Sequence, residues 1–173
     1  NCANWDVGRV EDVFQAFANS QMNSPFSLGN WESLTSMEQM FVQTEGDYYG
    51  GRDGRVRFNQ PIGTWDVSRI TTMRLMFGFT SIAQNMGADF NQPINAWDVR
   101  AVQNFEGFMG HLGYPPSRNN THAFNQPLNQ WNTSASSNMT RMFALARSFN
   151  QDISAWNTAN VTTMAGMFRG VSG

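Results

Sequence analysis

Apolar residues in this chain recur in a fixed order around six tryptophans, Trp5, Trp31, Trp65, Trp97, Trp131 and Trp156. Three residues before them stand Cys2, Leu28, Ile62, Ile94, Leu128 and Ile153. Two residues after five of them stand Val7, Val67, Val99, Thr133 and Thr158. A tryptophan and a β-branched residue two positions on share one face of an extended segment, which predicts a short strand. Then the spacing changes. Ile70, Met73 and Phe77 lie at i, i+3 and i+7, and Val102–Phe105–Met109, Ser136–Met139–Phe143 and Val161–Met164–Phe168 repeat that spacing. Such residues share one face of a helix. Between the first two residues of these sets lie Thr71-Thr72, Ser137-Asn138 and Thr162-Thr163, which are of the types that cap a helix N-terminus.

Each unit therefore predicts a short strand, a turn and a helix of about two turns. The shortest period is 25 residues, from Trp131 to Trp156. Repeats of that length build solenoids, propellers or arrays. The expected fold is an α/β repeat solenoid, leucine-rich-repeat-like, with parallel strands on one wall and helices on the other. Its six repeat cores lie near 2–17, 28–41, 58–77, 90–109, 124–143 and 149–168. The second core is aligned by removing two residues after Trp31, which brings Met37 and Met40-Phe41 onto the helix positions. The reading is one domain over 1–173, and because both ends fall inside a unit, a piece of a longer array.

Phe-Asn-Gln-Pro stands at Phe58, Phe90 and Phe124, and Phe-Asn-Gln-Asp at Phe149. An exposed row of amides could bind a ligand. Amides at fixed positions also bond neighbouring backbone groups and close each turn, as in an asparagine ladder, and this structural role is the expected one. The tryptophans could stack sugars, but each stands in an apolar pattern that predicts core. The Met-Phe pairs read as gap-filling core. Asp6, Asp66 and Asp98 beside the tryptophans give way to Asn132 and Asn157, which favours a turn role over calcium.

The text "FNQDISAWNTANVTTMAGMF", Phe149 to Phe168, resembles the repeat of the BspA-like leucine-rich-repeat surface proteins. Within that group it is similar to the tandem-repeat branch of the mycoplasma lipoprotein-type domain of unknown function. The resemblance implies a right-handed leucine-rich-repeat-like solenoid on an exported or surface protein, with binding or adhesive roles and no enzymatic activity.

Composition narrows the function. Charged residues are 14% and the formal net charge is −2, with no basic patch, which excludes nucleic acid as a partner. No apolar run has the roughly 18–20 residues of a membrane helix, so this segment is not expected to insert in a membrane. All 11 basic residues are arginine, so no Schiff-base or P-loop lysine exists here. The one cysteine, Cys2, forms no internal disulfide and sits at an apolar position. No catalytic residues, metal site or cofactor are expected.

Three consecutive units carry inserts at one place, 42–57, 78–89 and 110–123. Insertions on one face of a repeat protein often mark its binding face. The partner-binding candidates are Tyr48, Tyr49, Arg52 and Arg55 in the first insert, Phe79 in the second, and His111, Tyr114 and Arg118 in the third. Asn119 begins a glycosylation sequon in the third insert. The expected function is a non-catalytic protein-binding or adhesion module, secreted or at a cell surface. A protein is the expected partner and a glycan a possible one. The alternative is a structural or linker subunit of a larger assembly.

Overall fold

The computed structural model describes residues 5–25, 31–44, 55–80, 87–113 and 121–171. No helix occurs among the described residues, so the α/β leucine-rich-repeat-like solenoid expected from the apolar spacing is not what forms. The strands among the described residues are three two-residue pieces, β1 (Arg55–Val56), β2 (Gly87–Ala88) and β3 (Thr121–His122). They pair in parallel in the order β1-β2-β3. The remainder is turns and extended links, and the units are tied together by single parallel bridges running Ser36–Thr72–Asn104–Asn138–Thr163.

The backbone donors explain the missing helices. Met73, Leu75 and Phe77 give their N–H groups to the carbonyls of Asn104, Glu106 and Phe108 in the next unit, at 3.0, 2.9 and 3.0 Å. Met139, Arg141 and Phe143 do the same to Thr163, Ala165 and Met167. A donor held by the neighbouring unit cannot also close the i→i−4 bond of a helix. The intervening donors close tight turns instead: the Met76 N–H reaches the Met73 carbonyl and the Gly78 N–H the Leu75 carbonyl, both at 3.1 Å. Two linked turns return a side chain to the same face every three or four residues, so their apolar spacing imitates a helix.

The dihedrals agree. Gln15, Gln39, Leu75, Gly107, Arg141 and Gly166 occupy the same place in the six units, with φ between 52° and 63°. A helical residue has φ near −63°. In the Met73–Met76 turn, Leu75 is the third residue, where a type II turn needs positive φ. Four of the six are not glycine, and each bears a cost of about 1–2 kcal/mol. Inter-unit hydrogen bonds worth about 1 kcal/mol each offset it. The expected helix caps close turns here: Thr72 Oγ1 accepts the Arg74 N–H at 3.3 Å, and Asn138 Oδ1 the Thr140 N–H at 2.9 Å.

Phe-Asn-Gln forms an asparagine ladder. Asn59 Oδ1 accepts the Asn91 N–H at 2.9 Å and Gln92 Nε2 at 3.0 Å. Asn91 Oδ1 serves Asn125 and Gln126 in the same way, and Asn125 Oδ1 serves Asn150 and Gln151. The first rung is Asn23, whose Oδ1 accepts the Asn59 N–H at 2.9 Å. Asn23 precedes Ser36 by the same interval that separates Asn59 from its bridge partner Thr72. Met22-Asn23-Ser24-Pro25 is therefore the second unit's copy of Phe-Asn-Gln-Pro. The second core runs from Met22 to Phe41 without a gap, not from 28 as the tryptophan alignment requires.

That register moves Trp31 to the slot that Val67 fills in the next unit. In the regular slot, Trp97 Nε1 donates to the Ile62 carbonyl and Trp131 Nε1 to the Ile94 carbonyl, both at 3.0 Å. Trp156 Nε1 donates to Leu128 at 2.9 Å. Trp31 Nε1 is buried without a hydrogen-bond partner. Its ring meets Trp65 edge-on at 66°, whereas Trp97, Trp131 and Trp156 stack within 8°. Trp131→Phe should therefore cost about 1 kcal/mol more than Trp31→Phe, the net worth of one hydrogen bond. Urea melts of the two variants measure this, and equal losses would refute the bond's role.

The core is a set of columns through the stack. Phe58, Phe90, Phe124 and Phe149 stack with centroids 6.1–6.2 Å apart. Phe41, Phe77 and Phe143 of the turn segments press against this column, with centroids 4.1–4.2 Å from Phe58, Phe90 and Phe149. Each unit thus covers its neighbour's apolar face.

Candidate binding edge at the insert roots

The inserts begin and end on two short ladders along one edge of the stack. On the outgoing side, Gln43, Phe79 and His111 form parallel bridges. The Thr80 N–H reaches the Gln43 carbonyl at 3.0 Å, and the Leu112 N–H the Phe79 carbonyl at 2.9 Å. On the returning side stand β1, β2 and β3, extended by Asp89 N–H to Val56 and Ala123 N–H to Ala88, both at 3.0 Å. These ladders narrow the inserts. Val42, Gln43, Val56, Phe79, Ala88, His111 and His122 lie within the ranges 42–57, 78–89 and 110–123, yet all are buried parts of the stack. The residues between the two ladders, 45–54, 81–86 and 114–120, lie outside the described residues.

Phe79 and His111, which the sequence places among the partner contacts, are only 1% and 3% exposed. Phe79 and Ala88 form a second small core under the inserts. The Phe79 ring lies 6.2 Å from His111 and 6.0 Å from His122, centroid to centroid. His122 Nδ1 accepts the Phe124 N–H at 3.3 Å. That acceptor role leaves the ring proton on Nε2, which donates to the Phe77 carbonyl at 3.2 Å. Both histidines thus belong to the foundation of the edge. The alternating pattern that marks buried residues is too short at an insert margin to reveal them.

Arg55 contributes its backbone to β1. Tyr48, Tyr49, Arg52, Tyr114, Arg118 and the sequon residue Asn119 lie outside the described residues. Arg141 reaches back from the fifth unit, and its guanidinium donates to the Leu112 carbonyl at 2.6 Å, pinning the root of the third insert.

Some charges on the stack are paired across units and others within one unit. Arg74 bridges Glu38 at 2.9 Å and Glu106 at 2.8 Å. Burial works to lower the Arg74 pKa, but hydrogen bonds to Glu106 and Glu38 outweigh it and hold the guanidinium above its ordinary value. Arg100 hydrogen-bonds Asp98 and holds its carboxyl below the ordinary value. Hydrogen bonds from Ser68 hold Asp66 low in the same way. Asp66, Asp98, Asn132 and Asn157 each accept the N–H two residues on, which is the turn role expected of this column. Among the described residues no cluster of three or more histidine, cysteine or acidic side chains could hold a metal ion. No helix of the described residues is long and apolar enough to cross a membrane.

Residues 49–114 and 117–173 match the family described as "Mycoplasma protein of unknown function, DUF285". No curated protein and no solved structure matches the chain. The family match fits a mycoplasma-type repeat domain and not BspA-like leucine-rich repeats specifically. With more than half of its length matched in two adjacent stretches, and its units bonded one to the next, the chain belongs to the mycoplasma DUF285 family.

Proposed function

We propose that this chain is a non-catalytic binding or adhesion module that presents three neighbouring inserts to a protein partner. One observation carries the reading: the inserts of three successive units are rooted in two parallel ladders along a single edge. Such roots fix where each loop leaves and returns, which lowers the ordering cost of a contact surface built from all three. Tyr48, Tyr49 and Tyr114 supply the aromatic residues that dominate protein contacts, and Arg52 and Arg118 the arginines. The likeness of Phe149–Phe168 to the BspA-like surface proteins supports a cell-surface or secreted setting.

Replacing 45–54, 81–86 and 114–120 by short Gly-Ser linkers tests this. Beads coated with the 173-residue chain should adhere to cultured cells or to an array of purified ectodomains. Beads coated with the trimmed chain should lose at least about tenfold in retention. The trimmed chain should keep its thermal melt, because the ladders are untouched. Full adhesion by the trimmed chain would move the site off this edge. Failure of the untrimmed chain to adhere to either surface would overturn the binding role.

A further inference from the structure

His122 does with a ring nitrogen what other residues of the stack do with oxygen. Its Nδ1 accepts the Phe124 N–H, two residues on, at 3.3 Å. Asn138 and Asn132 hold the N–H groups of Thr140 and Ser134 in that way through Oδ1, Asp98 holds that of Arg100, and Thr72 Oγ1 that of Arg74. Those oxygens stay acceptors from about pH 5 to 8: amides and hydroxyls do not titrate there, and an aspartate ionises below that range. An imidazole does titrate there. Among the described residues, His122 is the one acceptor of this kind that a fall in pH removes.

Its surroundings make a charge costly. His122 is 1% exposed, and its register partner on β2 is Ala88. Nε2 donates to the Phe77 carbonyl at 3.2 Å in either protonation state, so that bond does not oppose a second proton. The Phe124 N–H does oppose it, because a proton on Nδ1 sets two donors against each other. The Phe79 ring, 6.0 Å away and tilted by 42°, is a weak compensation for a cation. His111 packs against the same ring at 6.2 Å. Asp89, which follows Ala88, is the one acid on these elements among the described residues, and it pairs with Arg57 at 3.4 Å. In the fifth unit, Arg147 stands at His122's position, two residues before the ladder phenylalanine, and Arg141 holds the Leu112 carbonyl. Both add positive charge to this edge.

We propose that His122 is an acid-sensitive latch on the insert edge. Neutral, it holds the Phe124 N–H and keeps β3 seated on β2. Protonated, it lets go, and the returning root of the third insert leaves the stack. The closed root holds the ring neutral; once the root opens, the ring takes a proton at histidine's ordinary value, near about 6.5. The closed root is therefore fully stable above that pH. Below it, the closed-to-open ratio falls about tenfold for each pH unit. The consequence for function rests on the binding role proposed above: a partner held by the third insert is released in mildly acidic surroundings.

Residue-resolved hydrogen exchange of the 173-residue chain at about pH 7.5 and about pH 5.5, either side of histidine's ordinary value, tests the latch without any partner. The Ala123 N–H bonds the Ala88 carbonyl and the Phe124 N–H bonds His122, so both report on the root. Their protection factors should fall about tenfold at the lower pH, while those of Met139 and Phe143 in the next junction hold. His122→Asn should abolish the fall, because its Oδ1 keeps an acceptor for Phe124 as Asn138 does for Thr140. His111→Gln should keep the fall. Nitrogen chemical shifts of the parent at the higher pH, which need no variant, should place the His122 proton on Nε2. A proton on Nδ1, constant protection at Ala123 and Phe124, an equal fall in His122→Asn or no fall in His111→Gln would each overturn the latch. In the adhesion assay, beads coated with the parent should lose retention at the lower pH and beads coated with His122→Asn should not. Parent retention unchanged by pH would overturn the release. Failure of the parent to adhere at the higher pH would overturn the binding role and the release with it, while the fall in protection would still establish the latch.

Discussion

Gly110→Ala should cost the stack about 3 kcal/mol, the upper end of what overpacking a tight interior costs. A Cβ at Gly110 would lie 1.9 Å from the Arg141 carbonyl oxygen and 3.1 Å from the Ala144 nitrogen. Both obstacles are backbone, so no rotamer change relieves the clash. The junction between the fourth and fifth units must open, and the hydrogen bonds from Phe105, Gly107 and Met109 to Asn138, Thr140 and Met142 would lengthen with it. The fifth unit has Ala144 at the same position, while Gly78 of the third unit also faces backbone of its neighbour, so glycine is demanded by particular junctions and not by every unit. Ala144→Gly, read beside it in urea melts, is the control: it should lose no more than about 1 kcal/mol, the ordinary alanine-to-glycine cost. Similar losses for the two variants would show that the close approach at Gly110 relaxes freely.

Asn91→Ala should be nearly as damaging, at about 2–3 kcal/mol. Its side-chain oxygen accepts the Asn125 N–H at 2.8 Å and Gln126 Nε2 at 3.1 Å. Truncation strands both donors in a part-buried place, each costing about 1–3 kcal/mol where water cannot replace the bond. Asn91→Asp is the informative companion, because a carboxylate keeps the acceptor. It should retain most of the stability that alanine loses. If the two substitutions destabilise equally in chemical melts, the ladder acts through packing and not through its oxygen.

Much of this architecture was legible in the chain. The Phe-Asn-Gln phrase marks the ladder because an amide that bonds its copy in the next unit must recur at a fixed place. The tryptophan, isoleucine and phenylalanine positions mark the core columns for the same reason. What the letters do not carry is which partner takes each backbone donor. Ile70, Met73 and Phe77 report that their side chains share a face. They do not report that the Met73 N–H goes to Asn104 in the next unit and not to a residue one helical turn back. The helices were misread for that reason. The second unit was misaligned because tryptophan is the more conspicuous landmark, whereas Asn23 is the residue held by hydrogen bonds. Tyr48, Tyr49 and Tyr114 remain the contact candidates of the proposed site, while Phe79 and His111 belong to its foundation.

The left-handed residue in every unit has a kinetic consequence. Leucine, arginine and glutamine do not choose a positive φ by themselves, so an isolated unit has little reason to adopt its native turn. The bonds that enforce the turn come from residues about 23–35 positions away in the chain. The first correctly paired junction must therefore form against both the chain-closure entropy and the local strain, and it is the slow step. Each later unit meets a finished template and needs only to lie down on it. Folding by this route is growth from a seed, and the junction that forms first sets the rate for the whole chain.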